Sequence, residues 1–201
     1  MSYSSLIRWS GFAAMVAGTL LLIAELLELL PAFDDLPFSE LARSGIFAFQ
    51  LTLYLLGLIL LAIGLVGLYA QQLESAGRLG LVGFLVAFAG TVLFTGFFWS
   101  NLFVAPALAL GAPEFLDHGG RFPGFRLSLV IYAVGWLVFG LAMLKARGYP
   151  RAPLIVLIVG AALDLVGAPL SGVVIDVSFI WLGFGLFSRR ITSTQRAAHA
   201  M

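Results

Sequence analysis

The sequence predicts an all-α, polytopic transmembrane helical bundle with six spans and both termini inside. Three observations carry that prediction. Of 201 residues, 61% are apolar and only 10% are charged, against about 25% charged in soluble domains. Several apolar runs are long enough to cross a bilayer, which takes about 20 residues. Lys and Arg fall unequally on the two sides that these runs define.

The elements follow in chain order. The first span is expected near Leu6–Leu30 and ends at Pro31. It is longer than the apolar core of a secretory signal, about 7–15 residues, and it carries two acids, so it is expected to stay as a helix. Residues 32–45, "AFDDLPFSELARSG", suggest a short interfacial helix with Asp35 as N-cap and Pro37 in its first turn. The second span is expected at Ile46–Ala70 and the third at Gly80–Val104, separated around Gly77–Gly80. Residues 105–126 read as a long Gly- and Pro-containing connection, either a binding loop or a plain surface excursion. The fourth span is expected at Leu127–Leu144, before Gly148–Pro150. The fifth (Leu154–Ala168) and sixth (Val173–Phe187) are short, and the "GAPLSG" turn joining them should be recessed, leaving a dent. Residues 1–190 then form one transmembrane domain, and residues 191–201 a short basic cytoplasmic tail.

Orientation follows from the cations. With the N-terminus inside, Arg8, Arg78, Lys145, Arg147, Arg151, Arg189, Arg190 and Arg196 lie inside, and Arg43, Arg121 and Arg126 outside. "LTLYLLGLILLAIGLVGLYA" from Leu51 aligns without gaps to "LSLVIYAVGWLVFGLAMLKA" from Leu127, matching Gly64 with Gly140. That suggests a parallel duplication of spans two and three in spans four and five. Helix contacts are expected at small residues, among them Ala14/Gly18, Gly83/Ala87 and Gly57/Gly64.

Composition excludes several chemistries. A net charge of +1 gives no electrostatic case for nucleic acid. Without cysteine there are no disulfides, thiol nucleophiles or thiolate metal sites. The two histidines, His118 and His199, lie outside the predicted spans, so the bundle cannot hold a bis-His haem. No phosphate-binding, dinucleotide, zinc-protease or nucleophile-elbow motif occurs. No cofactor and no metal are expected, although the acids discussed next would suit a hard cation.

"IAELLELLP" is the informative stretch. Residues 11, 14, 18, 21, 25 and 28 form one helical stripe reading Gly, Ala, Gly, Leu, Glu, Glu. Glu25 and Glu28 should therefore face the packed side, with Glu25 about 10 Å from the midplane at 1.5 Å per residue. Other spans place polar groups at the same outer level: Gln50 and Thr52, Ser100 and Asn101, Arg126, Asp164, and Asp176. Aromatic residues surround it: Phe94, Phe97, Phe98, Trp99, Phe103, Phe179 and Trp181. Together they suggest an outward-facing acidic and aromatic cavity, with Glu25, Glu28, Gln50, Trp99, Asn101, Arg126, Asp164 and Asp176 as its ligand-binding residues. Interhelical hydrogen bonding and an interfacial aromatic belt are the plainer readings of the same residues. Desolvation favours neutral carboxyls and a paired cation favours ionised ones. Sequence leaves open which prevails here.

The leading functional reading is an integral membrane protein that binds a small or lipidic ligand, or serves as an accessory subunit. Two alternatives stay open. One is an intramembrane acid–base enzyme on an isoprenoid-like substrate, with Glu25, Asp164 and Asp176 as catalytic candidates. The other is a proton- or cation-coupled transporter. Partners beyond the bilayer and ligand would be a second copy or another membrane protein. Arg outnumbers Lys ten to one, which suggests a GC-rich bacterial genome; a multi-pass chain of that origin is expected in the bacterial plasma (inner) membrane. The segments "LIRWSGFAAMVAGTLLLIAELL", "GLVGLYAQQLESAGRLGLVGFLVAFAGTVL" and "IWLGFGLFSRR" resemble a diffuse group of small bacterial six-helix integral membrane proteins. That resemblance implies a fold and assigns no activity.

Overall fold

Long apolar runs cannot leave backbone polar groups unpaired in lipid, so they close their hydrogen bonds within helices. The computed structural model follows that rule and describes residues 3–33, 36–119 and 123–188. Among the described residues there are nine α-helices and no strand: α1 (Tyr3–Glu28), α2 (Phe38–Leu41), α3 (Gly45–Ala70), α4 (Gly77–Phe103), α5 (Ala105–Gly111), α6 (Pro113–Gly119), α7 (Pro123–Ala146), α8 (Arg151–Leu165) and α9 (Ser171–Ser188). A 3-10 turn, Pro31–Phe33, follows α1.

Six helices, α1, α3, α4, α7, α8 and α9, pack as a ring. Each touches its neighbour in the chain, and α1 against α9 closes the circle. Small residues set the approach. A Cβ on Gly64 would lie 2.7 Å from Ala14 Cβ, and one on Gly18 would lie 2.7 Å from Asp176 O, so α1 is pressed between α3 and α9. Between α4 and α7, Gly83 faces the Phe139 backbone, Gly90 the Tyr132 backbone, and Gly135 the Ala87 backbone. This is the close packing that lipid-embedded helices achieve without a hydrophobic drive between them. Gly64 faces α1 whereas its aligned partner Gly140 faces Ile158 of α8, so these two glycines serve different contacts.

The outer surface is apolar, as lipid contact demands, with Leu56, Ile59, Ile63, Val82, Leu85, Ile155 and Val159 exposed. Five helices are long and apolar enough to cross a membrane: α1, α3, α4, α7 and α9. The expected fifth span, α8, is not among them; at 15 residues it rises about 22 Å, short of the roughly 30 Å hydrocarbon core.

Several expected boundaries shift. The first span stops at Glu28 rather than Leu30, and the third begins at Gly77 rather than Gly80. The fourth extends to 123–146, while the fifth starts and stops three residues early, at 151–165. The early stop has a local cause. Ala168 N–H donates to Leu163 O (3.0 Å) and Gly167 N–H to Asp164 O (3.1 Å), with Gly167 at φ +67°. This pattern ends a helix at a left-handed glycine. The connection 105–126 is not a plain loop: it holds α5 and α6, with a proline in the first turn of α5, where the missing N–H costs nothing. The interfacial helix is a single turn, Phe38–Leu41, and Pro37 stands at its N-cap rather than within its first turn. Asp35, proposed as that cap, lies outside the described residues, as do Asp34, Arg121 and the tail from 189 onward with Arg189, Arg190, Arg196 and His199.

One half of the ring is solid. Leu61, Leu65, Leu68, Trp136, Phe139, Met143, Leu154, Leu157, Phe179, Leu182 and Leu186 fill it, and all are almost fully buried. The other half is hollow.

Candidate functional site

The hollow end is framed by the C-termini of α1, α4 and α8 and the N-termini of α3, α7 and α9. It encloses a partly open cavity of about 1320 Å³. Drug-sized ligand pockets run to roughly 300–1,000 Å³, so this one has room for such a guest.

Two unlike walls face each other across it. The acid wall comes from α1, α8 and α9 and carries Glu25, Glu28, Asp164 and Asp176. The aromatic wall comes from α3, α4 and α7 and carries Tyr54, Phe94, Phe97, Phe98, Phe125 and Tyr132. Tyr54 and Phe98 stack with ring centroids 4.3 Å apart, and Phe94 lies 4.9 Å from Phe98 and 5.4 Å from Tyr132. The aromatic wall is thus a continuous ring cluster, not a scatter of belt residues.

Each acid is placed by its helix. The small-residue stripe of α1 turns Glu25 and Glu28 toward the cavity. The Tyr54 hydroxyl donates to Glu28 Oε2 at 3.3 Å and lies beside the Glu25 carboxyl. Gly172 makes room for Glu25: a Cβ there would meet its Oε1 at 2.5 Å and its Oε2 at 2.9 Å. Asp164 ends α8 and accepts the Ser171 hydroxyl at 2.9 Å. Asp176 is only 4% exposed, and its side chain makes no hydrogen bond or ion pair with a described residue. Gln50 is buried and spends its amide on Ala24 O at 3.0 Å, tying α3 to α1. Asn101 donates to Phe97 O of its own helix at 2.9 Å. Arg126 lines the cavity, is exposed, and has no ion-pair partner among the described residues.

Seven of the eight residues expected to bind ligand therefore border one space: Glu25, Glu28, Gln50, Asn101, Arg126, Asp164 and Asp176. Trp99 does not. It is 51% exposed and packs on Phe103 at the outer surface of α4, because it points away from Phe98 on the helix. Phe103 and Trp181 are exposed likewise, and Phe179 is buried in the solid half. Tyr54 and Tyr132 are cavity residues that the sequence reading missed. Both sit in nearly all-apolar helices, where no sequence signal marks the inward face. Among the described residues no three His, Asp or Glu side chains converge to hold a metal ion.

A cap covers part of the opening. Phe33, Phe38, Leu41, Leu116 and Asp117 from the outer connections line the cavity. The two connections are latched: Ser39 donates through its N–H and its hydroxyl to the two Asp117 carboxylate oxygens, each at 2.8 Å. Asp117→Ala should remove both bonds at a cost of about 1–3 kcal/mol. The expected result is faster amide exchange at 38–42 with exchange in α4 and α7 unchanged; equal exchange across the cap would show that the latch holds nothing.

At the opposite end, Gln71 and Gln72 carry buried amide atoms without a hydrogen-bond partner, and Gln72 is packed against Gly148. They lie apart from the cavity.

Fold and site together define a multi-pass helical membrane protein with a hollow end lined by acids and aromatic rings. No protein-family model matches the chain, nor does any curated protein or solved structure.

Proposed function

We propose that the protein crosses a bacterial plasma membrane six times, with both termini inside, and holds a small or lipidic ligand in an outward-facing cavity. It acts either alone or as the ligand-holding subunit of a complex. The observation that carries this reading is the cavity itself, with Asp176 buried at its wall and unpartnered. The Asp176 carboxyl opens on the cavity without a partner among the described residues, and a bound guest would supply one.

Six spans are supported by the ring. α8 packs between α7 and α9 and completes the circle of the five long helices, and a recessed α8–α9 turn would offset its short length. That turn, with Ala168, Leu170, Ser171 and Gly172, borders the cavity. Orientation is supported by the described cations: Arg8, Arg78, Lys145, Arg147 and Arg151 lie at the solid end, and Arg43 and Arg126 at the hollow end. The chain has no cysteine, so single cysteines report topology directly. Ala112→Cys should react with a membrane-impermeant maleimide in intact cells, and Ser75→Cys only after lysis. The reverse pattern would overturn the orientation.

Native mass spectrometry in mild detergent tests the function. The wild-type chain should carry extra mass on the order of a few hundred daltons, and Asp176→Asn should lose most of it. Bare protein in both samples would overturn the reading.

One observation favours a second reading, an acid–base enzyme on an isoprenoid-like substrate. Asp176 borders the same space as the Tyr54–Phe98–Phe94–Tyr132 cluster, and aromatic faces stabilise cations. In that case wild type and Asp176→Asn would hold chemically different molecules, product against substrate. A carrier reading has less support, because the half of the bundle beyond the cavity is packed with apolar side chains.

A further inference from the structure

We propose that the ligand is a cationic amphiphile, an amine or quaternary ammonium head on an apolar chain, with its head seated between the acid wall and the aromatic wall. This rests on the cavity reading above and names the class of guest.

Charge is the first ground. Four carboxyl groups, Glu25, Glu28, Asp164 and Asp176, border the cavity on one side. A fifth, Asp117, is engaged by Ser39. The cation among the described lining residues is Arg126, and it pairs with none of them. Among the described residues, acids thus gather at a partly desolvated site without forming an ion pair. Buried charge is tolerated when it is paired, and a positively charged guest completes the pair.

The second ground is independent of the cluster's charge. Asp176 is 4% exposed, borders the cavity and has no partner. Its neighbours Asp164 and Glu28 each accept a hydroxyl from the protein, from Ser171 and Tyr54. Asp176 accepts nothing and is left for the guest.

The third ground is the opposing wall. Tyr54, Phe98, Phe94 and Tyr132 are in ring contact with one another and border the space that the acids face. Faces of aromatic rings attract ammonium and guanidinium groups, most of all where water is excluded. An anionic head would meet four carboxyl groups and the ring faces, with Arg126 as the one described lining cation to offset them. The remaining lining includes Leu21, Leu51, Leu58 and Ile175, apolar surface that suits a chain and gives a bare amine nothing.

The test compares two probes with the same twelve-carbon chain, dodecylammonium and 1-dodecylglycerol, binding to the full chain in a neutral glycoside detergent. Wild type should prefer the amine by about tenfold or more. Asp176→Asn should bring the ratio close to one by weakening the amine more than 1-dodecylglycerol. Micelle partitioning is the same for both proteins, so the change in ratio reports the site. If Asp176→Asn does not fold, Glu25→Gln on the half-buried part of the wall should reduce the ratio in the same sense. Equal affinities in wild type would overturn the cationic head and keep the cavity reading. Binding of neither probe would overturn both. An amine preference that survives both substitutions would place it elsewhere than the acid wall and overturn the proposal.

Discussion

Replacing Gly135 by leucine is expected to destabilise the protein by about 3 kcal/mol and to loosen α4 from α7. A Cβ at this position would overlap the backbone of Ala87, both its N and its Cα. Backbone cannot swing aside as a side-chain end can, so the two helices must separate. Leucine is the better helix former by about 0.8 kcal/mol, which works the other way. Overpacking a tight contact costs roughly 1–3 kcal/mol and occasionally more, and here the contact is one rung of a ladder that includes Gly83 and Gly90. Overlap therefore wins. Gly96→Leu, on the same helix pair with nothing within 4 Å of the added Cβ, should be neutral or slightly stabilising. Unfolding in mixed micelles, followed by tryptophan fluorescence, separates the two. Trp136 is fully buried in the core and reports the loss of packing. Equal midpoints for both variants would show that α4 and α7 do not approach as described.

The second large effect concerns the site. Gly172→Val is expected to weaken binding of dodecylammonium by about tenfold with little change in unfolding midpoint. A Cβ on Gly172 would lie 2.5–2.9 Å from the Glu25 carboxyl atoms. The clash is with the end of a flexible side chain, so the fold accommodates it, but Glu25 must leave its place on the acid wall. Gly185→Val on the same helix has open space around its Cβ and serves as the control for β-branching in α9. Unchanged binding in Gly172→Val would mean that Glu25 holds no part of the guest.

Much of this was legible in the chain. The stripe Gly11, Ala14, Gly18, Leu21, Glu25, Glu28 fixes which side of α1 packs, since small residues permit close approach and lipid rewards nothing polar. Burial follows that stripe, from Ala14 at 0% through Leu21 at 3% to a half-buried Glu25 and an exposed Glu28. The level of the acids along their helices was equally legible, because a helix converts residue number into depth.

Other features were not. Trp99 and Phe98 are adjacent in sequence, yet one faces out and the other lines the cavity. An all-apolar helix has no polar face to say which side is inward, and α4 is apolar nearly all round. Tyr54 and Tyr132 were hidden for the same reason. The cap helices α5 and α6 lay in a stretch whose Gly and Pro content read as loop, because proline in a first turn looks the same as proline in a coil.

The sequence by itself determined the class, the long helical segments and the position of each acid along its helix, since these depend on local hydropathy and a fixed rise per residue. Only the tertiary structure decided that six helices close into a ring, that one half is filled and the other hollow, and that acids on α1, α8 and α9 face rings on α3, α4 and α7. Those depend on the rotation of each helix about its axis. Rotation is set by contacts such as Gly135 on Ala87 and Gly18 on Asp176, which join residues far apart in the chain.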